Sequence, residues 1–213
     1  MNLADAFPPL GLRVEAGPVV LRPITDDVLP ELVEVALAGV HPPDQRPFYH
    51  PWTEAPAAEL PANYVQFHWG VRAGFRPDRW ALEFAVEYEG RIVGTQGFST
   101  SDYPVTRTGE TGSWLGLEFQ GQGIGTRMRQ AICAFCFDHL DAAEITSGAF
   151  LDNPASLAVS RKVGYRPNGL RRLARGDETA TNQALLLTRD TFVRGEPIHV
   201  TGVEAFRRFI GLA

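Results

Sequence analysis

Sulfur is scarce in this chain: 213 residues hold two cysteines and two methionines. Cys133 and Cys136 alone cannot build the disulfide framework of a small secreted domain. With His139 they spell C-x-x-C-x-x-H, but a zinc site needs a fourth ligand and none follows at suitable spacing. The run "AICAFCF" has the small apolar side chains of a helix core, so both thiols are expected inside and no metal is expected. His41, His50 and His68 are scattered among aromatic residues and read as packing or rim residues. Excess positive charge is missing as well. The net charge is −5 and the pI about 5.5, which argues against nucleic acid or an acidic membrane as partner. The N-terminal "MNLADAFPPLGLRVEAG" has neither the basic start nor the apolar stretch of a signal peptide. No segment approaches the roughly 20 apolar residues of a membrane helix. The expected compartment is the cytoplasm.

What is present reads as an ordinary globular domain, 44% hydrophobic and 21% charged, without internal repeats. "VVLRPIT" from Val19 alternates like a strand, and "DDVLPELVEVALAGV" follows with helical spacing. Residues 41–80 turn rich in Pro and aromatics, with a short helix expected near Leu60 to Phe75. This flap covers the core, faces substrate, or does both. "WALEFAVEYEGRIVGTQGFSTS" is a hairpin about Glu89-Gly90, and "TGETGSWLGLEF" is the next strand. A helix is expected from Gly121 to about Leu140. Ile124, Met128, Ile132 and Phe135 make its apolar stripe, with Arg127, Arg129 and Asp138 opposite. "EITSGAF" is a strand, and "NPASLAVSRKVG" a helix capped by Asn153 and stopped at Gly164. Two late strands and a small tail complete a β-α-(α)-β-β-β-α-β-α-β-β order, an α/β layer on a mixed sheet. The expected division is an N-terminal segment 1–17, a domain 18–190 and an extension 191–213.

Gly121, Gly123 and Gly125 alternate where a strand gives way to a helix. Such a turn aims amide N–H groups at the positive end of a helix dipole, which suits phosphate. Tight turning alone would also use glycine, though three in alternation exceed what one turn needs. Gly125-Thr126-Arg127 lacks the lysine of a P-loop, and G-x-G-x-G after a hairpin is not a dinucleotide fingerprint. "QGQGIGT" instead resembles the Q/R-x-x-G-x-G/A motif of the GNAT acyltransferases, at Gln120, Gly123 and Gly125. "GETGSWLGLEFQGQGIGTRMRQAICAFCF" and "DNPASLAVSRKVGYRPNG" resemble the RimJ/RimL-type branch, which acts on protein N-termini and related amines. Trp52, "LAGVH" and "WLGLEFQGQG" are similar to actinobacterial members of it. The resemblance runs roughly from Val19 to Asp190.

That resemblance implies a GNAT fold: a single domain with a mixed, mostly antiparallel twisted sheet flanked by helices and a short C-terminal extension. It implies acetyl-CoA or another acyl-CoA as co-substrate. The amides from Gln120 through Gly121, Gln122, Gly123, Ile124 and Gly125 to Thr126 would hold its pyrophosphate. The pantetheine would pair with the strand end at Leu115, Leu117 and Glu118, a backbone N–H near Leu117 would polarise the thioester, and Asn153 and Ser156 would touch the cofactor. Acyl transfer needs a base for the amine and an acid for the thiolate. Glu110 in "GETGSW" matches the branch's glutamate and is the expected base, with Asp102 in reserve. Ser160 stands where many relatives carry an acidic tyrosine, so Ser156 is the expected acid. Arg161 and Lys162 read as a solvated face. One of Arg171, Arg172 and Arg175 would welcome an acidic acceptor or acyl group if it faced the cleft. The expected function is N-acyl transfer, acetyl by default, to a primary amine such as a protein N-terminus. Transfer of a succinyl-type group, or acyl-CoA binding without turnover, are the alternatives, and homo-oligomerisation stays open.

Overall fold

The computed structural model describes residues 1–212. The chain opens with a short helix α1 (Leu3–Ala6), then β1 (Arg13–Ala16) and β2 (Val19–Pro23). Helices α2 (Leu29–Leu37) and α3 (Leu60–Ala73) come next, followed by the hairpin β3 (Arg79–Tyr88) and β4 (Arg91–Ser101). After α4 (Tyr103–Thr106) come β5 (Thr108–Leu115), α5 (Ile124–His139), β6 (Glu144–Phe150) and α6 (Pro154–Val163). The chain closes with β7 (Arg166–Arg175), β8 (Glu178–Thr188), β9 (His199–Thr201) and α7 (Val203–Phe209). Nine strands form one sheet in the order β7-β8-β6-β5-β4-β3-β2-β1-β9. Every ladder is antiparallel except β5 with β6. The α/β mixed sheet, mostly antiparallel and flanked by helices, agrees with the sequence reading.

Helix α5 covers one face, burying Ile124, Met128, Ile132, Phe135 and Cys136 against Phe84, Phe98 and Ile145. Helices α2 and α3 cover part of the other, with Leu32, Val33, Leu60 and Tyr64 packed on Ala85 and Ile92. Cys133 and Cys136 are fully buried free thiols, as the apolar run suggested. Among the described residues no helix is long and apolar enough to cross a membrane.

Three details depart from the sequence reading. The expected strand through Phe119 stops at Leu115, and Leu117–Phe119 turn as a 3-10 helix. The Gln120 side chain fixes this ending by donating to the carbonyls of Leu115 (3.0 Å) and Val40 (2.7 Å). Helix α5 begins at Ile124 rather than Gly121, because Gly121 (φ 76°) and Gly123 (φ 82°) are left-handed and cannot be helical. Arg129, expected in solvent, is 4% exposed.

Candidate active site

The parallel pairing of β5 with β6 is short. It runs from Thr108↔Glu144 to Glu110↔Thr146, and then the strands part. The Ser147 hydroxyl donates to the Thr111 carbonyl at 3.0 Å, beyond the last paired residues. Backbone polar groups alternate sides along a strand, so those pointing the way of Thr111 next are at Ser113 and Leu115. With β6 gone, that edge of β5 is open. The Leu115 carbonyl is taken by Gln120, which leaves the Ser113 backbone and the Leu115 amide facing the gap.

This gap opens into a cleft of about 310 Å³. Its walls include Ser113, Leu115, Gln120, Gly121, Gly123, Gly125 and Thr126 from β5 and the glycine turn. Asn153, Ser156 and Lys162 contribute from α6, and His41 and Phe48 from the flap. A Cβ on Gly121 or Gly123 would meet nothing within 4 Å, so their positive φ, not crowding by the chain, demands glycine. At Gly125 a Cβ would meet Val159 of α6 at 3.5 Å, an ordinary contact, so the chain itself does not demand glycine there. Among the described residues no backbone acceptor holds the amides of Gly121, Gln122 or Gly123, and Ile124 and Gly125 are first-turn positions. Five successive amides, Gly121 to Gly125, are therefore without a backbone partner at the cleft mouth, and Gly121, Gly123 and Gly125 line it. The Gln120 amide bonds to Leu117 O (3.2 Å) and the Thr126 amide to Gly123 O (3.2 Å), so both ends of the expected cradle are already engaged.

Not every expected residue gathers here. The Leu117 amide donates to Gly39 O at 2.9 Å, so it has no N–H to spare for a thioester, and Ser113 is the better-placed donor. Glu118 lies exposed in the 3-10 turn, and Gln122 bonds back to the Glu118 carbonyl at 2.7 Å. Ile124 contributes its amide only, because its side chain is in the core. Asn153 caps α6 by accepting from the Ser156 amide at 3.0 Å while lining the cleft. Ser160 is 1% exposed in the core and does not line the cleft.

Glu110 points to the other face of the sheet, where a groove also contains Arg79, Ser99, Ser101, Thr108, Glu144 and Thr146. Asp102 lies beyond this groove in a left-handed turn (φ 55°) that starts α4. A residue the sequence did not reveal joins the same face. Glu83 pairs through Gly97 to Gly112 across β3, β4 and β5, one step along from Glu110. Its carboxyl lies over Gly97, so that a Cβ on Gly97 would come within 2.6 Å of its Oε1. Above Gly112 there is nothing within 4 Å. Burial pushes the Glu83 carboxyl up to about 7. Burial, and after it the Glu83 charge, raise the pKa of Tyr64, which packs near Trp52 and Trp114 at the rim. Trp52 itself is half-buried against Phe48 and Trp114. Of the late arginines, Arg175 is clamped to Asp152 (2.7 and 2.9 Å), and Arg171 and Arg172 are exposed on edge strand β7.

Residues 19–166 match the acetyltransferase (GNAT) domain family. The chain belongs to that family. Several known proteins are similar to this GNAT chain. "Putative ribosomal N-acetyltransferase YdaF" of Bacillus subtilis (strain 168) is 29% identical over 88 residues. That match covers 41% of this chain and 48% of the relative, so the chain spans about half the length of the curated relative it matches. Mycobacterium smegmatis RimJ, solved in complex with CoA-disulfide, is 25% identical with a TM-score of 0.69. There the alignment covers 84% of this chain and 86% of that one. RimL, a ribosomal L7/L12 alpha-N-protein acetyltransferase solved with coenzyme A, shares the fold at 19% identity and TM-score 0.65, covering 83% and 97% of the two chains. The β5–β6 gap and the α5 glycine turn are thus set within a GNAT fold.

Proposed function

We propose that this chain transfers an acyl group from acyl-CoA to a primary amine. One observation carries the reading: five amides without backbone partners at the start of α5 lie beside a gap where the β5 edge at Ser113 and Leu115 lacks a strand neighbour. The first part suits a pyrophosphate. The second suits the two amides of a pantetheine arm, which would pair with β5 as an added strand does. Asn153 and Ser156 line the same path, and the CoA complexes of RimJ and RimL support it.

The acceptor approaches from the opposite face, over Gly97 and Gly112. Glu110 and Glu144 outnumber Arg79 among the charged groups of this groove, so it favours a cationic amine, and a peptide N-terminus fits that chemistry. The relatives named for ribosomal proteins make such an N-terminus a natural first acceptor to try. A carboxylate on this face, Glu110 or Glu83, takes the amine proton. The amine nitrogen forms its bond to the thioester carbon while the Ser113 N–H stabilises the carbonyl oxygen. The C–S bond then breaks, and the sulfur takes a proton from Ser156 or water. Incubation with acyl-CoA and a peptide amine, followed by free thiol, tests the reading. Amine-dependent thiol release is expected, whereas coenzyme A binding with no turnover on any amine would leave a binding module instead.

A further inference from the structure

We propose that the acyl group this chain transfers ends in a carboxylate, which pairs with the guanidinium of Arg129. This inference rests on the acyltransferase reading above and names its donor class. Arg129 rises from the second turn of α5 to the underside of the sheet, where β5 and β6 separate. It is 4% exposed and lines the cofactor cleft beside Ser113 and Met128. Its Nη2 donates to Ser113 Oγ (2.7 Å), its Nη1 to Ser147 Oγ (3.2 Å) and its Nε to Gln96 Oε1 (3.4 Å). All three acceptors are neutral. No ion pair among the described residues includes Arg129.

A buried cation without a counter-charge costs several kcal/mol, so such a group persists when an anion completes the site. A guanidinium carries five N–H donors in a fixed fork that matches a carboxylate, and three hydrogen bonds leave two of them over. The surroundings offer no internal anion. Burial pushes the Cys133 thiol up to about 11 and the Tyr165 hydroxyl well above its usual range, so both neighbours stay protonated. The cofactor's own phosphates belong at the glycine turn, and Arg129 comes five residues after Ile124, about 7.5 Å further along the helix. What reaches Arg129 is the acyl end of a chain laid along β5 through Ser113. That end is polar: Ser113 and Arg129 line it, and buried Gln96 and Ser147 hold the guanidinium from behind. An acetyl methyl gains nothing from such walls, and an ammonium would be repelled. A carboxylate two or three carbons beyond the thioester carbonyl would be neutralised there.

The transfer keeps the same balance. The amine nitrogen forms the new C–N bond, the C–S electrons go to sulfur, one proton passes to the base and one returns to the thiol. The product is an amide whose far end is still ionised on Arg129.

Succinyl-CoA and butyryl-CoA have four-carbon acyl chains and differ by the carboxylate, so their binding to the full-length protein by calorimetry isolates the charge. Succinyl-CoA should bind about 10-fold more tightly or better. Arg129→Met should erase that preference while keeping affinity for butyryl-CoA, and Arg129→Lys should retain part of it. Equal affinity of the wild-type protein for the two donors would overturn the proposal, even if the Arg129 variants fail to fold. So would an Arg129→Met variant that slows transfer from both donors alike, since that assigns the cation to the reacting carbonyl. Failure of coenzyme A itself to bind would bring down the acyltransferase reading beneath it.

Discussion

Two carboxylates, Glu110 and Glu83, share the acceptor face but sit in different surroundings. Glu110 is exposed on β5, beside the groove a substrate amine would enter. Glu110→Gln keeps the shape and removes the proton acceptor, so steady-state turnover at neutral pH should fall about 10²-fold, with acyl-CoA affinity nearly unchanged. Turnover near the wild-type level would move the base to Glu83. Glu83 has its own signature. Its carboxyl titrates near 7 in the folded chain against an ordinary 4.5, so between those values the folded state holds more protons than the unfolded. Stability contributed there is present at low pH and lost as pH rises from about 4.5 to about 7. The charged and titratable groups around it are Tyr64, His68 and Arg72 on α3 and Glu110 on β5, and Arg72 is already paired with Asp26. His68, held down to about 4 by burial, acts in the opposite direction: its contribution is present above 6.5 and lost as pH falls toward 4. Urea unfolding of Glu83→Gln should therefore show a gain over wild type at pH 8 that disappears below pH 4.5. A constant difference across that range would mean that the side chain acts through packing alone.

At the scale of the element, α6 joins capping to binding in one side chain. Asn153 accepts the Ser156 amide and lines the cleft, so Asn153→Ala should cost about 1 kcal/mol of stability and weaken coenzyme A binding as well. Calorimetry on a folded variant separates the two effects, and unchanged coenzyme A affinity would reduce Asn153 to a cap. This helix was legible in advance because its signals are local: Asn-Pro at the start, Gly164 in a left-handed stop, and an apolar period between. Strand β6 was legible for the same reason. The end of β5 was not, because "SWLGLEF" continues to look strand-like and only the Gln120 amide reaching back to Leu115 shows where pairing stops. Arg129 was hidden more deeply. It follows Met128 and precedes Ile132 and Cys133 by three and four residues, which puts it on the edge of the apolar stripe. A charged residue there reads as solvated. Only the separation of two strands distant in sequence creates a buried polar space for it. Glu83 is a similar case, since an alternating strand glutamate becomes half-buried once α3 closes over it and a glycine two strand residues from Ser99 leaves it room.

Across the whole molecule, both ends of the chain meet at one edge of the sheet. Strand β1 pairs with β2 on one side and with β9 on the other, so segments 1–17 and 191–213 each add a strand to the central sheet. Helix α7 then delivers Phe206 and Ile210 into the main core, where Phe206 meets Phe75 and Trp80 edge-on and neither side chain is exposed. We expect the described chain to unfold as one unit on these grounds, with its tail needed for stability and not for chemistry. Phe206→Ala tests both halves of that statement. Removing a fully buried ring should lower the unfolding free energy by about 3–5 kcal/mol. Phe206 sits on Trp80 of β3, two strands from β5, and Trp80 pairs with Thr100, four residues along β4 from the Gln96 that pairs with Ser113. At about 4.8 Å per strand and about 3.4 Å per residue that is roughly 17 Å, beyond the range where substitutions usually couple. Coenzyme A affinity measured on the folded variant should therefore match wild type, and so should the ratio of affinities for charged and neutral acyl donors. A single cooperative transition at lower temperature is the expected melt. Two transitions, with the acyl-CoA-stabilised one unmoved, would show that the β1–β9 edge and α7 fold apart from the cleft and that the tail is an independent appendage.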